Sequence, residues 1–236
     1  GIVNLDNALI RENLNKASVN KLVGYTMENN KSKYCEQVIA AEKYATGANG
    51  SRFSISVGEQ DYEFETKLVG KKHISNLLGS ITCAIELGYK PENLIKKISD
   101  IDQISGRMEI TKRNNIYIID NSMGSNVDGF RSSLEFISNF DRKKVVVTPG
   151  IYEIGEKSKE VHKMMGFMIS KVADLIILLG ESTRTENIRT GALDNNFDKN
   201  KIIRVKDLDE VFMFVDKNLN EGDAVLLEND LDVRFL

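Results

Sequence analysis

From Gly106 onward the chain repeats one pattern: a short apolar run, a turn of small polar residues, then apolar residues at helical spacing. Val145, Val146 and Val147 make one such run, and Leu175, Ile176, Ile177, Leu178 and Leu179 make another, with no polar alternation in either. A strand that is apolar on both faces must be covered on both faces, which is the condition of a parallel sheet between two layers of helices. Runs at 115–119, 201–205 and 224–227 extend the series. Helical faces fall between them: Val127, Phe130, Leu134 and Ile137; Val161, Met164, Met165, Met168 and Val172; and Leu208, Val211, Phe212 and Val215 behind an Asp207 cap with Glu210 three residues on. This half therefore reads as an α/β fold with a doubly wound, mostly parallel sheet.

The first part has a different texture. Residues 1–4 read as a strand and 8–14 as a short helix, and the stretch 22–69 reads as β, with segments at 37–41, 52–57 and 62–65 divided by turn signals at 46–50 and 58–59. Ile74, Leu77, Leu78, Ile81 and Ile85 then mark a helix that stops at Gly88, and Pro91 opens another carrying Leu94, Ile95 and Ile98. Two domains are expected, 1–105 and 106–236, meeting near Ser105. The first starts in mid-sheet and carries an antiparallel insertion with little helix to cover it. The chain also begins at Gly1 directly in a strand-like run, which reads as a boundary within a longer protein or a processed end.

Hydrophobic residues make up 41% of the 236 residues and charged residues 28%, with a formal net charge of -3, so the balance is that of an ordinary globular chain with no nucleic-acid footprint. Cys35 and Cys83 have neither CxxC spacing nor a nearby His, which reads as two unpaired thiols in a reducing compartment. No signal peptide is visible and no apolar stretch approaches the roughly 20 residues that span a bilayer. A cytoplasmic monomer is the expectation.

Four short stretches carry the candidate chemistry, all at element ends, where open α/β sheets place ligands. In the first, Gly70-Lys71-Lys72-His73-Ile74-Ser75-Asn76 opens a helix, and His73 and Asn76 lie one turn apart, so both could face a ligand at the free N–H end. Equally, His73 caps the helix and Asn76 is a surface residue. In the second, Arg107 follows Gly106 at the junction, where a planar guanidinium could stack on a base or grip a phosphate, or simply lie exposed. In the third, Asp120-Asn121-Ser122-Met123-Gly124-Ser125-Asn126 ends an apolar strand; its carboxylate and carboxamides could bond ribose hydroxyls, or form a turn with Asn126 as N-cap. In the fourth, Thr148-Pro149-Gly150-Ile151-Tyr152-Glu153 ends another strand, and Glu153 either meets a ligand or sits exposed in a glycine-shaped loop. Beside these, Ser182, Thr183, Arg184 and Thr185 place hydroxyls and a guanidinium in what reads as a polar loop over 180–189.

The order and spacing of these stretches resemble the Mur ligase family, especially the branch that adds D-alanyl-D-alanine in cell-wall peptide synthesis, or a related archaeal pseudomurein peptide ligase. Ile2-Val3-Asn4-Leu5-Asp6-Asn7 resembles the family's NxDD strand end, residues 70–76 resemble GxHNxxN, Arg107 resembles the arginine that opens the C-terminal domain, residues 120–126 resemble DDSYNANP, and residues 150–155 resemble GxMxELG. The resemblance covers almost the whole chain.

It implies the second half of a central ATPase domain followed by a Rossmann-like C-terminal domain. It implies ATP and Mg2+ as cofactors, a carboxylate activated as an acyl phosphate, and an amine that displaces the phosphate. His73, Asn76, Arg107, Asp120 and Asn121 are then the nucleotide-side residues, and Asn126, Tyr152, Glu153 and Arg184 the substrate-side ones, for a cell-wall precursor and an amino acid or dipeptide. The sequence departs from the family at several points. No GxxGKTT loop occurs in it, Asn7 and Asn121 stand where acids are usual, Ser75 stands where Asn is usual, and Leu227-Glu228-Asn229-Asp230 stands in place of KGSR. The expectation is a ligase fragment that is inactive alone. The alternative is a non-catalytic binding or partner subunit derived from such a ligase.

Overall fold

A computed structural model describes residues 1–123 and 126–229. The chain divides into two compact units, Gly1–Asp102 and Gln103–Leu236. Among the described residues no helix is long and apolar enough to cross a membrane.

In the first unit the elements run β1 (Ile2–Asn4), α1 (Ala8–Asn13), β2 (Val23–Thr26), β3 (Gln37–Gly47), β4 (Gly50–Val57), β5 (Gln60–Thr66), α2 (Lys71–Glu86) and α3 (Glu92–Ser99). The five strands lie in sequence order in one sheet. β1, β2 and β3 are parallel, and β3, β4 and β5 form an antiparallel meander. The hairpin between β3 and β4 closes on Gly50 at φ +127, where a Cβ would lie 2.3 Å from the Thr66 carbonyl oxygen, so only glycine fits the turn.

The expectation of a poorly covered first unit is corrected here. α2 turns Ile74, Leu77, Leu78 and Ile81 onto the sheet, α3 adds Leu94 and Ile98, and they meet Ile39, Ile55, Phe53 and Phe64 in one apolar core. Phe53 and Phe64 stack at 5.4 Å across the β4–β5 pair. Each such fully buried side chain is worth about 1.5–3 kcal/mol, so the two helices suffice to cover the meander.

The second unit runs β6 (Glu109–Arg113), β7 (Ile116–Asn121), α4 (Val127–Ile137), β8 (Lys144–Thr148), α5 (Ser158–Ser170), β9 (Leu175–Leu179), α6 (Thr183–Asp194), β10 (Ile202–Val205), α7 (Leu208–Asn218) and β11 (Ala224–Glu228). Its sheet has the order β10-β9-β8-β11-β7-β6, parallel throughout except for β6. On one face Val211 and Val215 of α7 pack on Ile118, Val147, Ile177 and Val225.

Three local expectations differ from the structure. β6 was not visible in the sequence because Glu-Ile-Thr-Lys-Arg has no period-2 contrast; it is held as an antiparallel edge by the tight turn at Asn114 and Asn115, both at positive φ. The polar loop expected over 180–189 is mostly helix α6, started by a capping box between Ser182 and Thr185. Its buried side is Thr185, Ile188, Gly191 and Ala192, too small and polar to give an apolar stripe. Finally, α5 buries His162, Met165, Gly166 and Ile169, whereas Met164, expected inside, is 36% exposed. The rotation follows from a close crossing of α5 and α6: a Cβ on Gly166 would lie 1.9 Å from the Ile188 carbonyl oxygen, and one on Gly191 would lie 1.9 Å from that of Lys163.

The last strand in the chain, β11, is inserted between β7 and β8. The carboxyl ends of β7, β11 and β8 therefore sit side by side, and the carboxyl ends of the strands are where open α/β sheets bind ligands.

Candidate functional site

The first unit brings the ends of β1 and β2 toward the start of α2. Asn4, the last residue of β1, has its Nδ2 3.5 Å from Ser75 Oγ in the first turns of α2, and its Oδ1 accepts from the Asp6 amide at 2.9 Å. The Asp6 carboxylate in turn accepts from the Thr26 hydroxyl, the Met27 amide at 2.7 Å and Asn30 Nδ2 at 3.0 Å. Burial alone would push the Asp6 carboxyl up; these donors outweigh it and hold the group below its usual value. Asn7, in place of a family acid, caps α1 through its side chain at the Ile10 amide.

Gly70 precedes α2 at φ +90, and its amide donates to Thr46 Oγ1 at 2.7 Å. His73 is half-buried and Asn76 exposed, neighbours on the helix surface beside the buried stripe. A cleft of about 630 Å³ opens beside Thr46, Ser51 and Lys67, but its charges are internally matched: Arg52 faces Glu65 across the strands and Lys67 pairs with Asp102 at 2.6 Å.

In the second unit the Gly106–Arg107 turn lies against the exit of β7. The Met123 amide donates to the Gly106 carbonyl at 2.9 Å, and a Cβ on Gly106 would lie 2.4 Å from the Met123 side chain. Arg107 is exposed there. Asp120 is 8% exposed and its Oδ1 accepts from the Ser122 amide at 2.9 Å, closing the turn after the strand. Asn126 caps α4, its Oδ1 accepting from the Gly129 amide at 2.8 Å. Gly124 and Ser125, between them, lie outside the described residues.

Asn121 meets a partner that the sequence did not single out. Its Nδ2 donates to Glu228 Oε1 at 2.8 Å, directly across the β7–β11 pairing. Glu228 is fully buried, and burial pushes its carboxyl up to about 8, against hydrogen bonds from Ser133, Asn121 and Asn229 and with the nearby Asp120 charge adding to the rise. Asn229, also fully buried, sits at φ +64, and its Oδ1 accepts from Thr148 Oγ1 at 3.2 Å. One signal for this cluster was in the sequence: a Glu-Asn pair closing an apolar strand.

The fourth stretch is organised by a second unnoticed residue. His162 is fully buried, its Nε2 accepting from the Ile151 amide at 3.1 Å and its Nδ1 donating to the Ser158 carbonyl at 2.6 Å. Burial holds this imidazole below its ordinary value, and the Arg184 charge acts the same way. An Nε2 that accepts an N–H must itself be unprotonated. Gly150, at φ +87, makes room for the ring: a Cβ there would lie 2.8 Å from Nε2. The loop so fixed presents Tyr152, whose ring lies 3.9 Å from the Arg184 guanidinium carbon, while Arg184 Nε donates to the Pro149 carbonyl at 3.4 Å. Tyr152 and Arg184 are thus brought together; Glu153, exposed at φ +61, follows them on the same loop.

Comparison with known proteins adds the lineage. The Mur ligase middle domain matches residues 1–84, and the Mur ligase, glutamate ligase domain matches residues 106–228. A UDP-N-acetylmuramoyl-L-alanyl-D-glutamate--2,6-diaminopimelate ligase of Geobacillus kaustophilus is 21% identical over 193 residues, which is 80% of this chain and 39% of the relative. A UDP-N-acetylmuramoyl-tripeptide--D-alanyl-D-alanine ligase of Borreliella burgdorferi is 29% identical over 133 residues, 55% of this chain and 29% of the relative. Among solved structures, the MurF ligase of Thermotoga maritima in complex with ADP aligns with TM-score 0.72 at 16% identity, over 92% of this chain and 52% of that one. The chain therefore spans well under half the length of these curated relatives and about half of the solved one. With both domain matches in their order along the sequence, the chain belongs to the Mur ligase family.

Proposed function

We propose that this chain is part of an ATP-dependent ligase that joins a carboxylate to an amine through an acyl phosphate in cell-wall peptide assembly, in the cytoplasm. The observation that carries the reading is the polar row at the carboxyl ends of β7, β11 and β8 in a chain whose two units both match Mur ligase domains. Asn76 and His73 on α2 are the nucleotide-side groups of the first unit. Arg107, Asp120 and Asn121 are those of the second, Arg107 being exposed and able to reach a base or phosphate. When bound, ATP supplies the phosphoryl group that activates the carboxylate. Asn126, Tyr152, Glu153 and Arg184 face the substrate side, with Arg184 fixed by its stack on Tyr152.

The family also implies Mg2+. Among the described residues no group of three or more His, Cys, Asp or Glu is arranged to hold a metal ion, and no step here is assigned to one.

The test is amine-dependent phosphate release from ATP with a UDP-muramoyl peptide. Phosphoryl transfer depends on a phosphate cradle, and GxxGKTT does not occur in the 236 residues. The isolated chain is expected to show no turnover, and a longer gene product carrying that loop in frame is expected to turn over. Turnover by the 236-residue chain would overturn the expected inactivity. A gene product without the loop that still binds nucleotide would favour the second reading, a non-catalytic binding subunit.

A further inference from the structure

The amino ends of β8, β9 and β10 lie side by side, at the opposite end of the second sheet from the polar row described above, and a cleft of about 510 Å³ opens there. A volume of this order is that of a small-molecule site. Lys144 opens β8, Leu175 opens β9, and Lys201 directly precedes β10. Arg142 and Lys143 lie in the turn before β8 and also line the cleft. Leu175 and Phe214 of α7, both half-buried against the core, give it an apolar wall.

Four cations thus line one cleft on a chain of net charge -3, and the nearby acids are turned toward the backbone. Asp223, 5% exposed, accepts from the Lys143 amide at 3.2 Å and the Asn220 amide at 2.8 Å. Asp174 accepts from the Lys144 amide at 2.9 Å and meets Lys144 Nζ at 3.5 Å. Lys144 itself has a local role: its Nζ donates to the Phe140 and Arg142 carbonyls at 3.3 and 3.2 Å, just past the end of α4. Arg142, Lys143 and Lys201 have no such role. They are exposed, and among the described residues their side chains make no ion pair or hydrogen bond. Asp141 is the lining carboxylate left open, so three open cations face one open acid.

The turn that carries two of these cations is held in place by the fold. Asp223 pins the Lys143 amide, the Asp174 amide donates to the Lys144 carbonyl at 2.8 Å, and the Arg142 stem passes close over Gly222, where an added Cβ would lie 3.3 Å from its Cγ. Like charges gathered round a concave apolar wall repel one another and focus a positive field into the cleft. Three cations suit a phosphate, with three acceptor oxygens and close to two charges, better than a carboxylate with two oxygens and one charge. A flat membrane surface would meet only the rim of the concavity, and a bare anion would leave the Phe214 wall uncovered.

We propose that this cleft is a binding site for a small phosphorylated molecule with an apolar body. Arg142, Lys143 and Lys201 hold the phosphate, and Phe214 and Leu175 take the body. The site lies at the far end of the strands from the groups assigned to the ligase reaction and does not rest on that reading.

The experiment is an NMR titration of the 15N-labelled 236-residue chain at low ionic strength, with phenyl phosphate, inorganic phosphate and phenol as probes. Phenyl phosphate is expected to give saturable shifts at the Lys143, Leu175 and Lys201 backbone amides and to bind about fivefold more tightly than inorganic phosphate, the worth of partly burying a ring. Phenol is expected to leave these amides in place. Arg142→Gln and Lys201→Gln, exposed and on separate elements, are each expected to weaken phenyl phosphate about five- to tenfold while the spectrum stays dispersed. Asp141→Asn is expected to tighten it about twofold by removing the opposing charge. Shifts that rise without saturating and are matched by chloride would be charge screening only and would overturn the proposal. Unchanged affinity in both Gln variants, or a response confined to the carboxyl ends of β7 and β11, would do the same. Cosedimentation with phosphatidylserine vesicles that is lost in Arg142→Gln, with no binding of phenyl phosphate, would make this face a membrane contact and overturn the small-ligand site.

Discussion

Asn121 Nδ2 reaches across the β7–β11 ladder to Glu228 Oε1 at 2.8 Å, and this carboxamide is the side-chain donor that the buried carboxyl holds in ordinary hydrogen-bond geometry. A carboxyl so placed is more stable protonated. Its folded value near 8 lies above the ordinary 4.5, so between those values the folded chain holds a proton that the unfolded chain releases. Stability then falls as pH rises through that window, by about 1.4 kcal/mol per unit. Glu228→Gln stays neutral throughout. Its stability relative to wild type is expected to grow from pH 5 to pH 8, read as the difference in urea midpoints at each pH. A difference independent of pH would show that Glu228 is charged in the folded state.

His162 titrates in the opposite sense. Its folded value is depressed chiefly by burial, so the unfolded chain binds the proton more readily once pH drops below the ordinary imidazole value. Stability is then lost as pH falls from about 7 toward 5. His162→Gln cannot charge and is expected to flatten that slope, at a cost in stability at pH 7 from the lost Ile151 and Ser158 bonds of about 1–3 kcal/mol. Thermal melts of both proteins across the range decide it; parallel slopes would remove His162 from the account.

What was legible in the sequence follows from how strongly each position was constrained. Strands such as β9, apolar on both faces, read as covered parallel strands, and β9 is one. Asp207 and Asn126 announced their helices because a cap is a local device, and both side chains accept from the third residue on, as their positions imply. α6 was not legible, because its buried side is built from Thr185, Gly191 and Ala192 and takes its stability from the close approach to α5. The pairing of Tyr152 with Arg184 could be placed on one side of the fold from strand-end logic alone. The burial of Glu228 and His162 could not, because it arises between elements distant in sequence; for Glu228 the sequence offered only the Glu-Asn pair that closes an apolar strand.

The α5–α6 crossing gives a sharp packing test. A Cβ at Gly191 would stand 1.9 Å from the Lys163 carbonyl oxygen, a backbone atom that cannot turn aside. Gly191→Ala must therefore push the helices apart, and is expected to destabilise by about 3 kcal/mol or more, the upper range for overpacking. Gly47, where an added methyl would meet nothing within 4 Å, is the control, and Gly47→Ala is expected to stay within about 0.5 kcal/mol. Because Gly166 and Gly191 share the crossing, the double alanine variant is expected to cost less than the sum of the singles. Strict additivity in urea unfolding would show that the two contacts are independent.

The last expectation concerns Arg184, whose guanidinium carbon lies 3.9 Å from the Tyr152 ring centroid and whose Nε donates to the Pro149 carbonyl. A guanidinium fixed by stacking keeps its remaining N–H groups aimed in one direction, so it can hold a carboxylate or carbonyl on the substrate without first being ordered. Such an interaction is made equally in the ground and transition states, so its loss raises KM and spares kcat. In the loop-containing gene product, Arg184→Ala is expected to raise KM for the amine about tenfold, the worth of one charge-assisted hydrogen bond. Arg184→Lys is expected to recover only part of this, since an ammonium cannot stack as a plane. Tyr152→Phe keeps the ring face on which Arg184 lies, so its KM is expected to remain within about twofold of wild type. Steady-state kinetics over a range of amine concentrations separates the cases. An amine KM unchanged in Arg184→Ala would confine Arg184 to holding the Pro149 loop, and a fall in kcat alone would move its role from binding to the chemical step.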